Sequence, residues 1–313
     1  MTGYILRRLV ATVPVILIVA VFVFLMLRLT PGDPAAIIAG DNANAEQVAA
    51  IRNRLGLDEP IFTQFFIWLG NLLRGDFGES FFFKKTVAEL IASRIEPTLA
   101  LSLFTIVIAV VVAVPLGVLA AYKQGTLVDK IVMGFSVLGF SVPVFVIGYS
   151  LIYLFAIKLN WLPVQGYQRL GDGFGGFLQR LILPSVTLAV IYVALIARMT
   201  RTSVIDVLHE DYIRTARAKG QVEIKVLFRH ALKNAAVPIA TVIGLGIALL
   251  IGGVVVTESV FTIPGLGRLT VDAVLARDYP TIQAVILLFS LVYVLINLAV
   301  DLIYTLLDPR IRY

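Results

Sequence analysis

The sequence predicts an all-α protein that crosses a membrane six times. Two observations support this fold class: 59% of the residues are hydrophobic and only 15% are charged. Soluble domains are about half apolar and about a quarter charged, so much of this surface is expected to face lipid. Backbone groups in lipid find no water, and a helix satisfies them within one segment. We therefore expect helices rather than strands in the membrane.

Six apolar stretches are long enough to span a bilayer core, which needs about 20 helical residues. They cover residues 9–29, 98–122, 131–157, 182–200, 235–257 and 282–306. The first follows Arg7 and Arg8, as a secretory signal would, but no A-x-A-like cleavage site comes after it. We expect this first stretch to be retained as a span.

Lysines and arginines are distributed unequally between the connecting segments. Fourteen lie on the side of the N-terminus, against five in the two short loops on the opposite side. Because cytoplasmic loops carry an excess of these residues, both termini are predicted to be cytoplasmic. The net charge of +6 suits a protein beside anionic lipid and does not indicate nucleic-acid binding.

This orientation divides the chain into three parts. The N-terminus and first span occupy residues 1–30, and a long extracytoplasmic loop covers 31–97. A five-helix core follows over 98–313, with a large cytoplasmic loop at 201–234. In the long loop we expect a turn at PGDP, a polar helix over 45–55 and an aromatic-rich helix over 61–73. The aromatic-rich helix, with Trp68, suits the membrane interface, and Pro97 suits the first turn of the second span.

Two spans carry small residues at four-residue spacing, which lets helix backbones approach closely in lipid. The set consists of Ala109, Ala113, Gly117 and Ala121 in the second span, and Gly244, Ala248 and Gly252 in the fifth. Packing within the chain is the favoured interpretation of both stripes. The alternative is that one of them faces a second membrane subunit.

The sequence contains few groups that could perform chemistry. It has no G-x-x-x-x-G-K-[ST] phosphate loop, no cysteine, and two histidines, His209 and His230, without metal-ligand spacing to acids. A membrane hydrolase therefore has no supporting residues. A proton- or sodium-driven carrier needs ionisable residues in the bilayer. Arg28, Glu258 and Asp301 lie near span ends, so the chain is expected to be a conduit without its own energy source, and no catalytic or metal-binding residue is predicted.

The segment DYIRTARAKG, residues 211–220, is unusual because it is short, basic and follows an apolar span. Acidic residues begin it and basic residues end it, an order that favours the helix dipole. Gly220 is expected to supply a left-handed cap. Leu208, Tyr212, Ala216 and Gly220 would form one i, i+4 stripe able to dock in a cleft of a cytosolic protein. A charged loop lying on anionic lipid would not need the cap or the small residues.

This segment, followed by RHALKNAAVP, resembles the cytoplasmic loop of permeases of the dipeptide/oligopeptide/nickel family of binding-protein-dependent ABC importers. Further matching motifs extend along the whole chain in order. They are RRLVATVPV, LTPGDPA, LGLDEP, LLRGDFGES, TESVFTIPGLGRL, RDYP and DLIYTLLDPRIRY. One departure is that Arg214, Thr215 and Ala216 stand where the general pattern of this loop has E-A-A.

The resemblance implies the type I ABC importer permease fold and a transport role in a bacterial inner membrane. It implies four kinds of partner: a second, homologous permease, two ATPase subunits or domains, an external solute-binding protein and lipid. ATP and magnesium would be held by the ATPases. The coupling helix seated on an ATPase would comprise Asp211, Tyr212, Arg214, Thr215, Ala216, Ala218, Lys219 and Gly220.

The solute and its path are less well determined by the sequence. Peptides are the first expectation, and nickel chelates, glutathione, opines or oligosaccharides are alternatives within the same family. A stand-alone secondary carrier is the alternative from another class. Phe140, Pro143, Phe145 and Tyr149 in the third span would line a path, although ordinary packing with a proline kink also explains them.

Overall fold

A computed structural model describes residues 2–29, 33–40, 43–80 and 82–307 of the 313-residue chain. The predicted turn at Pro31 and Gly32, and the C-terminal Arg310 and Arg312, lie outside these residues. The described residues are almost entirely helical, with one two-stranded antiparallel hairpin. The elements are α1 Thr2–Leu29, α2 Pro34–Ala39, α3 Ala45–Leu55, α4 Ile61–Leu73, β1 Glu79–Ser80, β2 Lys85–Thr86, α5 Val87–Tyr122, α6 Leu127–Ser141, α7 Val144–Leu151, α8 Phe174–Leu208, α9 Asp211–Ala218, α10 Glu223–Lys225, α11 Ala236–Val260, α12 Leu266–Leu275 and α13 Tyr279–Leu307.

Five helices are long and apolar enough to cross a bilayer without interruption, which confirms five of the six predicted spans. They are α1, α5, α8, α11 and α13. Two predicted helices of the long loop are also confirmed, since α3 and α4 have the expected bounds. Asn44 caps α3 by accepting from the Gln47 amide, and Gly56 ends that helix with a left-handed φ of 61°.

The third predicted span, residues 131–157, is not one continuous helix. It consists of α6 and a second helical segment, α7 with the π-helical turn Ile152–Lys158, and the two parts are bent by 105°. Val142 is extended and Pro143 has no amide hydrogen to donate, so the helical hydrogen bonds cannot continue through this point. Proline was expected to kink this span, and in the structure it divides the span.

The second span also begins earlier than predicted. Pro97 does not lie in the first helical turn, because α5 starts at Val87 and continues through both Pro97 and Pro115. The side-chain oxygen of Thr86 accepts a hydrogen bond from the Glu89 amide at 3.3 Å and so marks the true start.

The chain folds as two compact units. The first contains the chain up to Glu96 together with Gly265–Leu295. In this unit a buried hydrogen-bond network joins the hairpin to the start of α13: the hydroxyls of Ser80 and Thr281 donate to Asp278 Oδ2 at 2.5 and 2.6 Å. Beside it, Leu90, Leu266, Leu269 and Val285 form an apolar cluster.

The second unit contains Pro97–Pro264 and the chain from Ile296 onward. Its core is lined by small and aliphatic side chains of α5, α8 and α11. Gly117 permits close approach here, because a Cβ atom added to it would lie 2.6 Å from Thr200 Cβ and 2.7 Å from the Ala197 carbonyl oxygen. At Gly244 an added Cβ would overlap Val300. Packing within the chain therefore accounts for the buried stripe of the second span and for Gly244, whereas nothing lies within 4 Å of a Cβ at Gly252.

We predict that Gly117→Ala destabilises the second unit by about 1–3 kcal/mol, the usual cost of overpacking a tight contact. The matched control is Gly134→Ala, since nothing lies within 4 Å of a Cβ there. That change is expected to be neutral or to stabilise α6 by up to about 1 kcal/mol. Thermal unfolding of the purified protein in detergent would measure both. Equal unfolding temperatures for the two variants would contradict the close α5–α8 contact.

Candidate functional site

The segment singled out in the sequence forms the short helix α9. Glu210 precedes it in an extended conformation, Asp211 stands in its first turn and Arg217 in its last. Its C-terminal end is a Schellman motif: the Gly220 amide donates to Arg217 O at 2.9 Å, and the Gln221 amide to Ala216 O at 3.3 Å. Gly220 has a φ of 74°, which confirms the predicted left-handed cap.

A buried side chain joins α9 to the core of the second unit. Ile213 is completely buried, with an exposed fraction of 0%. It belongs to an apolar cluster that draws on α5, α8, the π-helical turn Val226–Leu232 and α11. The other buried members are Val118, Ala121, Val204, Val226, Leu227, Ala231, Ala235 and Ile239. A displacement of α9 would therefore act on three spans at once.

The surface that α9 presents differs from the predicted stripe. Leu208 is the last residue of α8, Gly220 lies beyond α9, and Ala216 is half-buried. Ala216 follows Ile213 by three residues and so shares its inward side. The small residues that face outward are Thr215 and Ala218. The predicted stripe of Leu208, Tyr212, Ala216 and Gly220 is therefore wrong as a continuous surface.

The other predicted docking residues border this outward face. Asp211, Tyr212, Arg214, Lys219 and Gly220 are all exposed. Arg214 Nη1 lies 3.2 Å from Asp211 Oδ1 within the helix. Tyr212 is 43% exposed, and the burial of its remaining surface raises the pKa of its hydroxyl, an effect that the hydrogen bond to Asn234 opposes.

A surface ion pair connects the end of α9 to α10. Arg217 Nη2 lies 2.6 Å from Glu223 Oε1, and this hydrogen bond raises the pKa of the Arg217 guanidinium. Arg217, which is not among the predicted docking residues, therefore contributes to the loop's own structure.

A bidentate ion pair joins α6 to α8. Its arginine, Arg201, lies in the last part of α8, shortly before α9 begins. Arg201 Nε donates to Asp129 Oδ1 at 2.5 Å, and Arg201 Nη2 to Asp129 Oδ2 at 2.7 Å. The Gly125 amide donates to the same carboxylate at 2.9 Å. Asp129 is only 4% exposed. Sequence reasoning missed this pair, because it assigned Arg201 to the loop at 201–234 whereas α8 continues to Leu208.

Comparison with known proteins identifies the family. Residues 113–313 match the family described as binding-protein-dependent transport system inner membrane component, and residues 1–102 match its N-terminal part. The chain belongs to this family.

Two relatives and one solved structure illustrate the similarity. A probable peptide ABC transporter permease protein, y4tP of Sinorhizobium fredii, is 57% identical over 99% of both chains. The glutathione transport system permease protein GsiC of Escherichia coli is 46% identical over 100% of both. The MetNI methionine ABC transporter in an inward-facing conformation has a TM-score of 0.57 at 20% identity, covering 70% of this chain and 96% of its own. This last likeness confirms the importer-permease fold.

Membership in the family makes the chain a multi-pass inner-membrane permease component, not an enzyme, and implies ATPase and binding-protein partners. Among the described residues, no cluster of three or more His, Cys, Asp or Glu could hold a metal ion. The four predicted path residues, Phe140, Pro143, Phe145 and Tyr149, are exposed and flank the break between α6 and α7.

Ionisable groups of this permease near the span ends have local partners. Arg28 Nε donates to Gln64 Oε1 at 2.8 Å, and Thr98 Oγ1 donates to Glu258 Oε1 at 2.6 Å. Glu258 is fully buried. The expectation that neighbours satisfy these two groups is confirmed, while Asp301 is half-buried on α13.

We predict that Asp129→Ala lowers the free energy of unfolding of the permease by about 3 kcal/mol. Breaking a buried ion pair costs ~3–5 kcal/mol, and we expect the lower end because the Arg201 side chain is 22% exposed. The double variant Asp129→Leu with Arg201→Met removes both charges and is expected to recover most of the loss. Thermal unfolding of both variants in detergent measures the difference. A double variant as unstable as Asp129→Ala would contradict this coupling.

Proposed function

We propose that this chain is one of two membrane-spanning subunits of an ATP-driven importer, and that α9 is the helix on which an ATPase subunit docks. The observation that carries the proposal is the combination of a small, exposed outer face with one buried inner anchor, Ile213. The full assembly would contain a second, homologous permease, two ATPase subunits or domains and an external solute-binding protein. ATP and magnesium would be bound by the ATPases, since this sequence has no phosphate loop.

The contact surface follows from the geometry of α9. Thr215 and Ala218 would form its centre, because small side chains let the helix backbone approach the walls of a groove. Tyr212 and Arg214 would lie at its border, with Asp211, Lys219 and Gly220 at the two ends. Ala216 would act from the inner side, by allowing α9 to lie close to its own protein.

Movement of the ATPases would reach the membrane through two connections. The cluster around Ile213 links α9 to α5, α8 and α11. The Asp129–Arg201 pair then links α8 to α6, which leads into the broken third span. ATP-driven closure would shift these helices as rigid bodies between two states of access. Because the cluster is buried and the ion pair is bidentate, little of the displacement would be lost in side-chain rearrangement.

The proposed orientation places both termini and α9 in the cytoplasm. The excess of Lys and Arg on that side supports it. Docking requires the same side, because ATP is cytoplasmic. The long loop at 31–97 would then lie outside, where the solute-binding protein acts.

Peptides are the solute class we propose. The support is the 57% identity over 99% of the chain with a probable peptide permease. Glutathione, a modified tripeptide, is the second candidate, because GsiC is 46% identical over its full length. Both solutes are peptide-like and could pass the same route.

We predict that Thr215→Trp and Ala218→Trp leave membrane insertion intact but weaken ATPase docking by at least about tenfold, or ~1.4 kcal/mol. The bulky ring would hold the helix away from its groove. The matched control is Gln124→Trp, an exposed position in the neighbouring α5–α6 connection. Co-purification of the ATPases and ATP-dependent uptake in proteoliposomes would measure the effect.

These two positions are better probes than Ala216 or Gly220. A substitution at Ala216 would disturb the loop's own packing, and one at Gly220 would strain a backbone with φ of 74°. Wild-type docking and uptake in both tryptophan variants would refute the docking role of α9.

A competition experiment would distinguish the two solute classes. We expect a mixture of dipeptides and oligopeptides to reduce ATP-dependent uptake of a labelled peptide more strongly than glutathione does, with the solute-binding protein present. A stronger effect of glutathione would replace the peptide assignment and leave the docking role of α9 unaffected.

A further inference from the structure

Helix α4 contains thirteen residues, IFTQFFIWLGNLL, and none of them is charged. One side of it packs on α1, where the rings of Phe65 and Trp68 lie 5.2 and 5.6 Å from the ring of Phe24. Gln64 is buried on the same side, and both ends of its amide are engaged. Its Oε1 accepts from Arg28, and its Nε2 donates to the carbonyls of Leu57 and Glu59 at 3.1 and 2.8 Å.

The other side of α4 is an exposed apolar stripe. Phe62, Phe66 and Leu73 are 77%, 67% and 80% exposed. At 3.6 residues per turn these three positions lie within roughly 40° of one another around the helix. A stripe of this kind, free of charged residues, is not a stable surface in water.

The contact with Phe24 sets the depth of α4 in the membrane. Phe24 lies five residues before the last residue of the span, Leu29, which corresponds to about 7.5 Å along the helix axis. The part of α1 that α4 touches is therefore inside the bilayer. The same part of α1 also has side chains that face outward, including Phe22, which is 69% exposed. Phe22 lies on roughly the opposite side of α1 from Phe24, so apolar side chains are exposed at this height on α1 as well as on the outer side of α4.

We propose that α4 is a monotopic membrane helix: it lies in the leaflet at which α1 ends, and acyl chains of the lipid cover Phe62, Phe66 and Leu73. The helix satisfies its backbone groups internally, as hydrocarbon requires. Charged residues stand immediately outside it, at Asp58 and Glu59 before the helix and Arg74 after it. The sequence predicted a helix at the membrane interface from its aromatic residues, and in the structure one of these, Trp68, packs against Phe24 of α1.

The chain has no cysteine, so single labelling sites can be introduced directly. Phe66→Cys and Leu73→Cys would each place a spin label on the exposed stripe of α4. The labelled chain would be studied in the assembled transporter, reconstituted in lipid nanodiscs. Phe22→Cys on α1 serves as the lipid reference. Asn53→Cys, exposed on α3, serves as the water reference. Oxygen concentrates in hydrocarbon and a nickel chelate stays in water, so the ratio of the two accessibilities reports the surroundings of each label.

We expect the labels at 66 and 73 to have the same oxygen-to-nickel ratio as the label at 22, several-fold above the label at 53. Ratios equal to that at 53 would mean that the stripe faces water, and would overturn the proposal. Exclusion of both reagents would mean that a protein surface covers it, and would overturn the proposal as well. Leu73 lies at the end of α4, so its variant tests the idea even if Phe66→Cys prevents assembly.

Discussion

The burial of Ile213 is the constraint on which the candidate site depends. An isolated helix of eight residues is not stable in water, because forming its first turn costs more than so few hydrogen bonds return. Ile213 supplies the missing stabilisation by entering a cluster built from α5, α8 and α11. The same contact ties α9 to a cluster shared by three spans. In the proposed importer, the side chain that stabilises the loop would therefore also transmit the movement of a docked ATPase.

The Asp129–Arg201 pair supplies a directional connection where the apolar cluster ends. Apolar contacts tolerate sliding, whereas a bidentate guanidinium–carboxylate pair fixes both distance and orientation. It joins the first turn of α6 to α8 and also engages the Gly125 amide. Without this pair, the start of the broken third span would lose its charged connection to α8 and would simply follow the short exposed turn that precedes α6. Its start is thus held to the helix that leads directly into α9.

Sequence patterns predicted those features that depend on neighbouring residues. The bounds of α3 and α4 and the cap at Gly220 follow from local rules. The features that were missed are of two kinds. Some depend on residues far away in the chain, and others on a choice between two local backbone conformations of similar energy. Ala216 faces inward because Ile213 is buried in a cluster that also contains Val118, nearly one hundred residues earlier. Pro143 is compatible with a kink or a break, and the extended backbone of Val142 decides for the break.

The partners of the ionisable groups bear on how energy enters the permease. A proton or sodium relay needs groups that can gain and lose a charge or a ligand inside the membrane. Arg28 is engaged by Gln64, Glu258 by Thr98, and Asp129 by Arg201. Loss of the Asp129 charge would leave the Arg201 guanidinium without its carboxylate, which is costly. A membrane domain arranged in this way is suited to being moved from outside, and α9 is the exposed, firmly anchored element through which such a force can act.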